Sequence, residues 1–130
     1  MNNSMLIEEA KKARERAYAP YSHFTVGAAL LTKNGKIYHG CNIENAAYTP
    51  TNCAERTAFF KAVSEGERKF EKIAIVGGSE GKEPNPICAP CGVCRQVMME
   101  FCDPEEFLVV LNEETEVLLK ELVPYGFVLC

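Results

Sequence analysis

Phe70-Glu71-Lys72-Ile73-Ala74-Ile75-Val76-Gly77 is the stretch on which the fold turns. Its middle, Ile73 to Val76, is unbroken apolar sequence of strand length, rich in β-branched residues and closed by Gly77. Such a run reads as a buried strand. Downstream, a Gly- and Pro-rich loop from Gly77 to Pro90 leads into a second element. Pro90 can open a helix there because its missing N–H would have no intrahelical partner. Val93, Val97, Met98 and Phe101 give that helix an apolar stripe, and Cys102-Asp103-Pro104 stops it. Phe107 to Leu111 reads as another strand and Glu116 to Leu119 as a short one, with the tail ending near Val123-Pro124.

Upstream, a helix is expected from about Cys53 to Ser64, closed by Gly66. Before it, Phe24 to Leu31 and Ile37 to Ile43 read as two strands joined through Thr32-Lys33-Asn34-Gly35. Asn-Gly is a hairpin signal because both residues tolerate the positive φ of a type I′ turn. From Met5 to about Tyr18, Leu6, Ala10, Ala13 and Ala17 recur at helical spacing, with Glu8, Lys12, Lys11 and Glu15 on the other face and Asn3 or Ser4 as the cap. The order helix, hairpin, helix, strand, helix, strand, strand implies an α/β fold: a three-layer α/β/α sandwich around a mixed, mostly five-stranded sheet. If the third and fourth strands run parallel, the helices that follow Asn52 and Pro90 start at the same sheet edge, where open α/β sheets bind ligands.

A chain of 130 residues, 47% hydrophobic, suits one domain over residues 1–130. A net charge of -4 argues against a phosphate backbone as partner, and so against a polynucleotide editor. The expected substrate is small. No apolar run approaches the roughly 20 residues of a membrane-spanning helix, and Met1-Asn2-Asn3-Ser4 lacks the layout of a secretory signal, so the cytoplasm is the expected location. Seven cysteines, an odd number in a chain with a core of its own, point to metal or catalysis before disulfides. Cys41, Cys102 and Cys130 stand alone and read as buried or idle thiols. His23 and His39 lie far from the cysteine motifs and read as non-ligands, while Tyr21, Tyr38, Met98 and Met99 read as packing residues.

The chemistry is concentrated at two helix starts. Cys53 begins one helix, and Cys91 and Cys94 lie one turn apart in the first turn of the other. Helix N-termini favour thiolate over thiol. Three sulfurs meeting there would hold zinc with a fourth position left for water, whose pKa the ion lowers toward neutrality. Glu55, two residues past Cys53, is then the proton carrier. The competing reading is a capping box, Asn52-Cys53-Ala54-Glu55, with Glu55 reaching back to Asn52. Arg56 would relieve the excess negative charge of three thiolates by donating to sulfur; its plainer reading is a solvated helix arginine.

Asn42-Ile43-Glu44-Asn45-Ala46, Cys53-Ala54-Glu55-Arg56 and Pro90-Cys91-Gly92-Val93-Cys94-Arg95-Gln96 closely resemble the motifs of the small homotetrameric cytidine deaminases, in order, over nearly the whole chain. Zinc deaminases carry either one His and two Cys or three Cys, and Cys53 places this chain with the all-cysteine, tetrameric group. The resemblance implies Zn²⁺ as cofactor, a free cytidine or deoxycytidine as substrate and sites shared between subunits. It implies that water activated at the metal attacks the ring carbon bearing the amino group while Glu55 protonates the adjacent nitrogen and later carries a proton to the departing ammonia. It places the base against the backbone of Ala54 and the ring of Phe24, the ribose on Asn42 and Glu44, and Tyr48 and Phe127 in a neighbouring subunit's site. Phe24 alone would equally read as a core aromatic.

Three departures from the family pattern bear on this. The loop Gly77 to Cys88 is slightly long, and the chain stops three residues after Phe127, which affects its match and the tail contacts. Cys88 is an extra cysteine that could close a Cys53/Cys88/Cys91/Cys94 site to water and leave a non-catalytic structural zinc module. The short tail also leaves room for a deaminase of the blasticidin S type.

Overall fold

The computed structural model describes residues 1–129. Strands β1 (Phe24–Thr32), β2 (Ile37–Cys41), β3 (Phe70–Ser79), β4 (Leu108–Asn112) and β5 (Thr115–Leu118) form one sheet in the order β2-β1-β3-β4-β5. β3 and β4 pair in parallel and the other neighbours are antiparallel. The apolar run in β3 is unbroken because both of its faces are covered. Ile73 and Ile75 face a core built with Leu30, Phe59, Met98 and Val109, whereas Ala74 and Val76 face a second core with Leu6, Ile7, Ala10 and Val110. The helices accordingly divide into two layers, α1 (Asn3–Arg14) on one side, α2 (Ala54–Ser64) and α3 (Gly92–Phe101) on the other. Phe59 is fully buried against the rings of Phe70, Phe101 and Phe107, a cluster whose loss on Phe59→Ala would cost about 3–5 kcal/mol.

Several boundaries differ from the sequence reading, each for a local reason. α1 is capped by Asn2, whose side chain accepts from Met5 N at 2.8 Å, and ends at Arg14, not Tyr18. The Tyr18 backbone is taken instead by a parallel bridge to Ile43: its N–H donates to Asn42 O at 2.9 Å and its carbonyl accepts from Glu44 N at 2.8 Å. The hairpin is not type I′. Gly35 N donates to Thr32 O at 3.1 Å and positive φ falls on Gly35, not Asn34, whose side chain accepts from the Thr32 hydroxyl; this is a type I turn with a glycine bulge. β2 stops at Cys41, and Ile43 continues only as isolated bridges to Tyr18 and Asn52.

Pro90 precedes α3 instead of opening it, since Cys91 is the N-cap. The apolar stripe of α3 is shifted as well. Cys94 and Met98 are buried and Val93 is exposed. A short helix, α4 (Leu119–Leu122), follows β5 where no element was expected. Arg95 ties it to the start of α3, with Nη1 donating to Leu122 O at 2.9 Å and Nε to Pro90 O at 2.8 Å. Among the described residues no helix is long and apolar enough to cross a membrane.

Candidate active site

Because β3 and β4 are parallel, the helices leading into them begin at the same sheet edge. Cys53 is the N-cap of α2 and Cys91 the N-cap of α3, with Cys94 one turn further on. Neither cap makes a side-chain hydrogen bond to its helix, so both sulfurs are free to face each other. The Cys53 and Cys91 Sγ atoms are 3.8 Å apart and those of Cys91 and Cys94 3.6 Å. All three lie within 4.8 Å of one another. Zinc–sulfur bonds of about 2.3 Å in a tetrahedron put sulfurs about 3.8 Å apart, so the trio fits the ion.

The electrostatics agree with a cation there. The neighbouring Cys94 thiol and then, against the cost of burial, Arg56 pull the Cys53 thiol well below the ordinary range, while Cys94 is raised by the proximity of Cys53 and by burial. One thiolate thus resists formation of the next, and three together need positive charge. Arg56 supplies part of it, donating from Nη2 to Cys53 Sγ at 3.3 Å, so the solvated-arginine reading is set aside. Its Nε is buried with no partner among the described atoms.

Glu55 is 4% exposed, an unusual state for a carboxylate. Burial pushes its carboxyl up to about 7. The capping box is not formed, because Cys53 and not Asn52 occupies the N-cap and the Asn52 side chain donates to the Thr57 hydroxyl instead. Glu55 is therefore an acid held beside the thiols and available to move protons.

Ala54 is fully buried over Gly40 of β2. Asn42 is bound to β1 by its side chain, Oδ1 accepting from Val26 N and Nδ2 donating to Phe24 O, both at 2.8 Å. Phe24 is half-buried and belongs to neither core cluster, which removes its plainer reading. Glu44 accepts from Tyr21 N, Ser22 N and the Ser22 hydroxyl, and its carboxyl is held below the ordinary range, chiefly by Ser22. Glu44, Ser22, Tyr21, Tyr48 and Thr51 line one cavity. The sequence reading passed over Ser22, which carries no metal-ligand or acid–base signature, and assigned Tyr21 to packing; Tyr21 is half exposed and meets Tyr48 edge to face at 6.4 Å.

Tyr48 is 73% exposed and has φ 60°, an uncommon backbone state for a bulky residue. Phe127 is exposed, its carbonyl accepting from Gln96 Nε2 at 3.1 Å. Cys88 lies outside the sulfur trio, packed on Gly77, with burial pushing its thiol up to about 11. This geometry does not supply the fourth sulfur of a closed zinc site. His39 faces Glu9 at 2.8 Å and His23 is exposed near Glu80. Cys41 and Cys102 are half-buried free thiols, while Cys130 lies outside the described residues.

Comparison with known proteins adds to this geometry. The family model for the cytidine and deoxycytidylate deaminase zinc-binding region matches residues 1–110. A cytidine deaminase of Sporosarcina psychrophila is 55% identical over 132 residues, covering 98% of this chain and 92% of that protein. The crystal structure of cytidine deaminase from Burkholderia pseudomallei superposes with a TM-score of 0.87 at 50% identity, covering 98% of this chain and all of that one. A blasticidin-S deaminase of Bacillus cereus is more distant, 31% identical over an alignment of 126 residues, covering 94% of this chain and 89% of that protein.

Proposed function

This chain belongs to the cytidine and deoxycytidylate deaminase family, and on that footing we propose that it hydrolyses the amino group from free cytidine and deoxycytidine, releasing ammonia and leaving uridine or deoxyuridine for pyrimidine salvage. The observation that carries the reading is the sulfur trio at zinc-ligand separation with a buried carboxylic acid two residues from one of its members. Cys53, Cys91 and Cys94 would hold Zn²⁺, which when bound makes water nucleophilic near neutral pH.

In this reading Glu55 takes the proton from the attacking water and delivers it to the ring nitrogen beside the reacting carbon. It then takes the remaining hydroxyl proton to the departing amine. A buried carboxyl, which gives up its proton less readily than an exposed one, suits both directions of transfer. Arg56 offsets the sulfur charge. The backbone of Ala54 and the ring of Phe24 hold the base, and Asn42 and Glu44 hold the sugar. The Asn42 amide ties the two groups together, since it is bonded to the Phe24 carbonyl.

Homotetrameric assembly with shared sites is part of the reading. It is supported by the apolar exposure of Phe60 and Val93 on the α2–α3 face and by Tyr48 and Phe127 standing out from the surface. Unpaired thiols, six among the described residues, suit the reducing cytoplasm.

Purified protein incubated with cytidine, deoxycytidine, cytosine and blasticidin S, each followed by its ultraviolet spectrum, tests the substrate. Turnover of the two nucleosides is expected, and turnover of the antibiotic alone would overturn the reading. Mixing subunits inactivated by Glu55→Gln with subunits carrying Tyr48→Ala should restore activity if Tyr48 serves a neighbour's site; no recovery would confine it to its own chain.

A further inference from the structure

Glu44 is fixed from outside its own segment. Oε1 accepts from Tyr21 N at 3.0 Å and Ser22 N at 3.2 Å, and Oε2 accepts from the Ser22 hydroxyl. The same hydroxyl oxygen accepts from Phe24 N at 3.0 Å. One side chain thus gives its proton to the residue read as holding the sugar and a lone pair to the residue read as lying on the base. A carboxylate offers about four lone-pair sites. With three of them filled, one is left for an incoming sugar hydroxyl, and its direction is set by the other three.

The backbone around Ser22 is built to keep this arrangement. His23, between Ser22 and Phe24, has φ 55° and is held at both ends, its N–H donating to Ala19 O at 3.0 Å and its carbonyl accepting from Glu80 N at 2.7 Å. A left-handed residue that is not glycine persists only where its surroundings enforce it. Ser22 itself is exposed and lies outside the core clusters, so packing does not account for it. It faces the cavity that Glu44, Tyr48 and Thr51 share.

We propose that Ser22 is a positioning residue for nucleoside recognition, its hydroxyl locking the Glu44 carboxylate toward the sugar and in register with Phe24. The inference rests on the reading of Glu44 as a sugar ligand. It predicts a defect that depends on the sugar hydroxyls of the substrate. Ser22→Ala should lower kcat/KM for cytidine about tenfold, mainly through KM, because a charge-assisted hydrogen bond that pre-orients the carboxylate is lost.

For 2′,3′-dideoxycytidine, assayed at enzyme concentrations that make slow turnover measurable, the same substitution should change kcat/KM by less than about twofold, since no ring hydroxyl is present for Glu44 to receive. Ser22→Thr, which keeps the hydroxyl, should recover the cytidine value, and the melting temperature of both variants should stay with wild type. Equal losses for the two nucleosides, or no loss for cytidine, would overturn the proposal. Wild-type protein that leaves cytidine untouched would instead bring down the substrate reading on which it rests.

Discussion

Gly40 lies under the first turn of α2, and adding one methyl group there should displace the site. A Cβ at this position would stand 2.2 Å from Ala54 O, 2.6 Å from Ala58 N and 2.9 Å from Ala58 Cβ. An acceptable carbon–oxygen approach is about 3.3 Å, so the helix start must retreat by about 1 Å. None of the three atoms can be moved by a rotamer change, because all belong to the backbone or are fixed to it. The retreating turn carries Cys53, Glu55 and Arg56.

Overpacking of this kind costs about 1–3 kcal/mol, and an ångström of misplacement at reacting groups costs about 100-fold in rate. Gly40→Ala should therefore lower the melting temperature by about 5–10 °C and kcat/KM for cytidine about 100-fold, read by circular dichroism melting and the ultraviolet deamination assay. The matched comparison is Gly27→Ala. Its Cβ would stand 2.1 Å from Ala10 O and 2.4 Å from Arg14 N, on the opposite layer. It should lose similar stability but less than about tenfold in activity, since α1 contributes nothing to the sulfur trio. Full activity in Gly40→Ala, or equal activity losses in the two variants, would refute the reasoning.

Other outcomes follow from the same geometry. Glu55→Gln should retain its zinc by elemental analysis while turnover falls by at least about 1,000-fold; full activity would remove Glu55 from the reaction. Cys88→Ala should keep zinc and activity with a small loss in melting temperature, because this thiol is outside the trio, and loss of metal would show that it is a ligand. Glu9 is held below the ordinary glutamate value of 4.5 by hydrogen bonds from Lys12 and then His39. A depressed folded-state value contributes stability above the ordinary value and loses it as pH falls through the lower one. Glu9→Gln should accordingly melt below wild type at pH 7, with the gap closing on acidification; a gap independent of pH would contradict the ion-pair account.

Much of the molecule was legible in order and type because periodicity is a local signal. The Ile73 to Val76 run, the helices after Asn52 and Pro90 and the Gly66 stop depend on residues a few positions apart. The misreadings were equally physical. The apolar spacing through Ala17 favoured a longer α1, but the Tyr18 backbone found better partners in Asn42 and Glu44. Asn34-Gly35 is compatible with two turn types, and the Thr32–Asn34 side-chain bond selects the one with positive φ only at glycine. The stripe on α3 was assigned without Cys94, which packs into the same core as Met98 while its sulfur lies 3.6 Å from that of Cys91.

By itself the sequence singled out the side chains proposed to carry the chemistry: sulfur at two helix starts, an acid two residues on and an arginine beside it are properties of short motifs. Whether those motifs meet was decided by the tertiary structure, since Cys53 and Cys91 are 38 residues apart and only the parallel pairing of β3 with β4 sets both helix ends at one edge. The same holds for Asn42, Glu44 and Ser22, whose partners lie across chain reversals. Local propensity acts through adjacent residues, whereas contacts of this range follow from strand register and from which face of the sheet each helix covers.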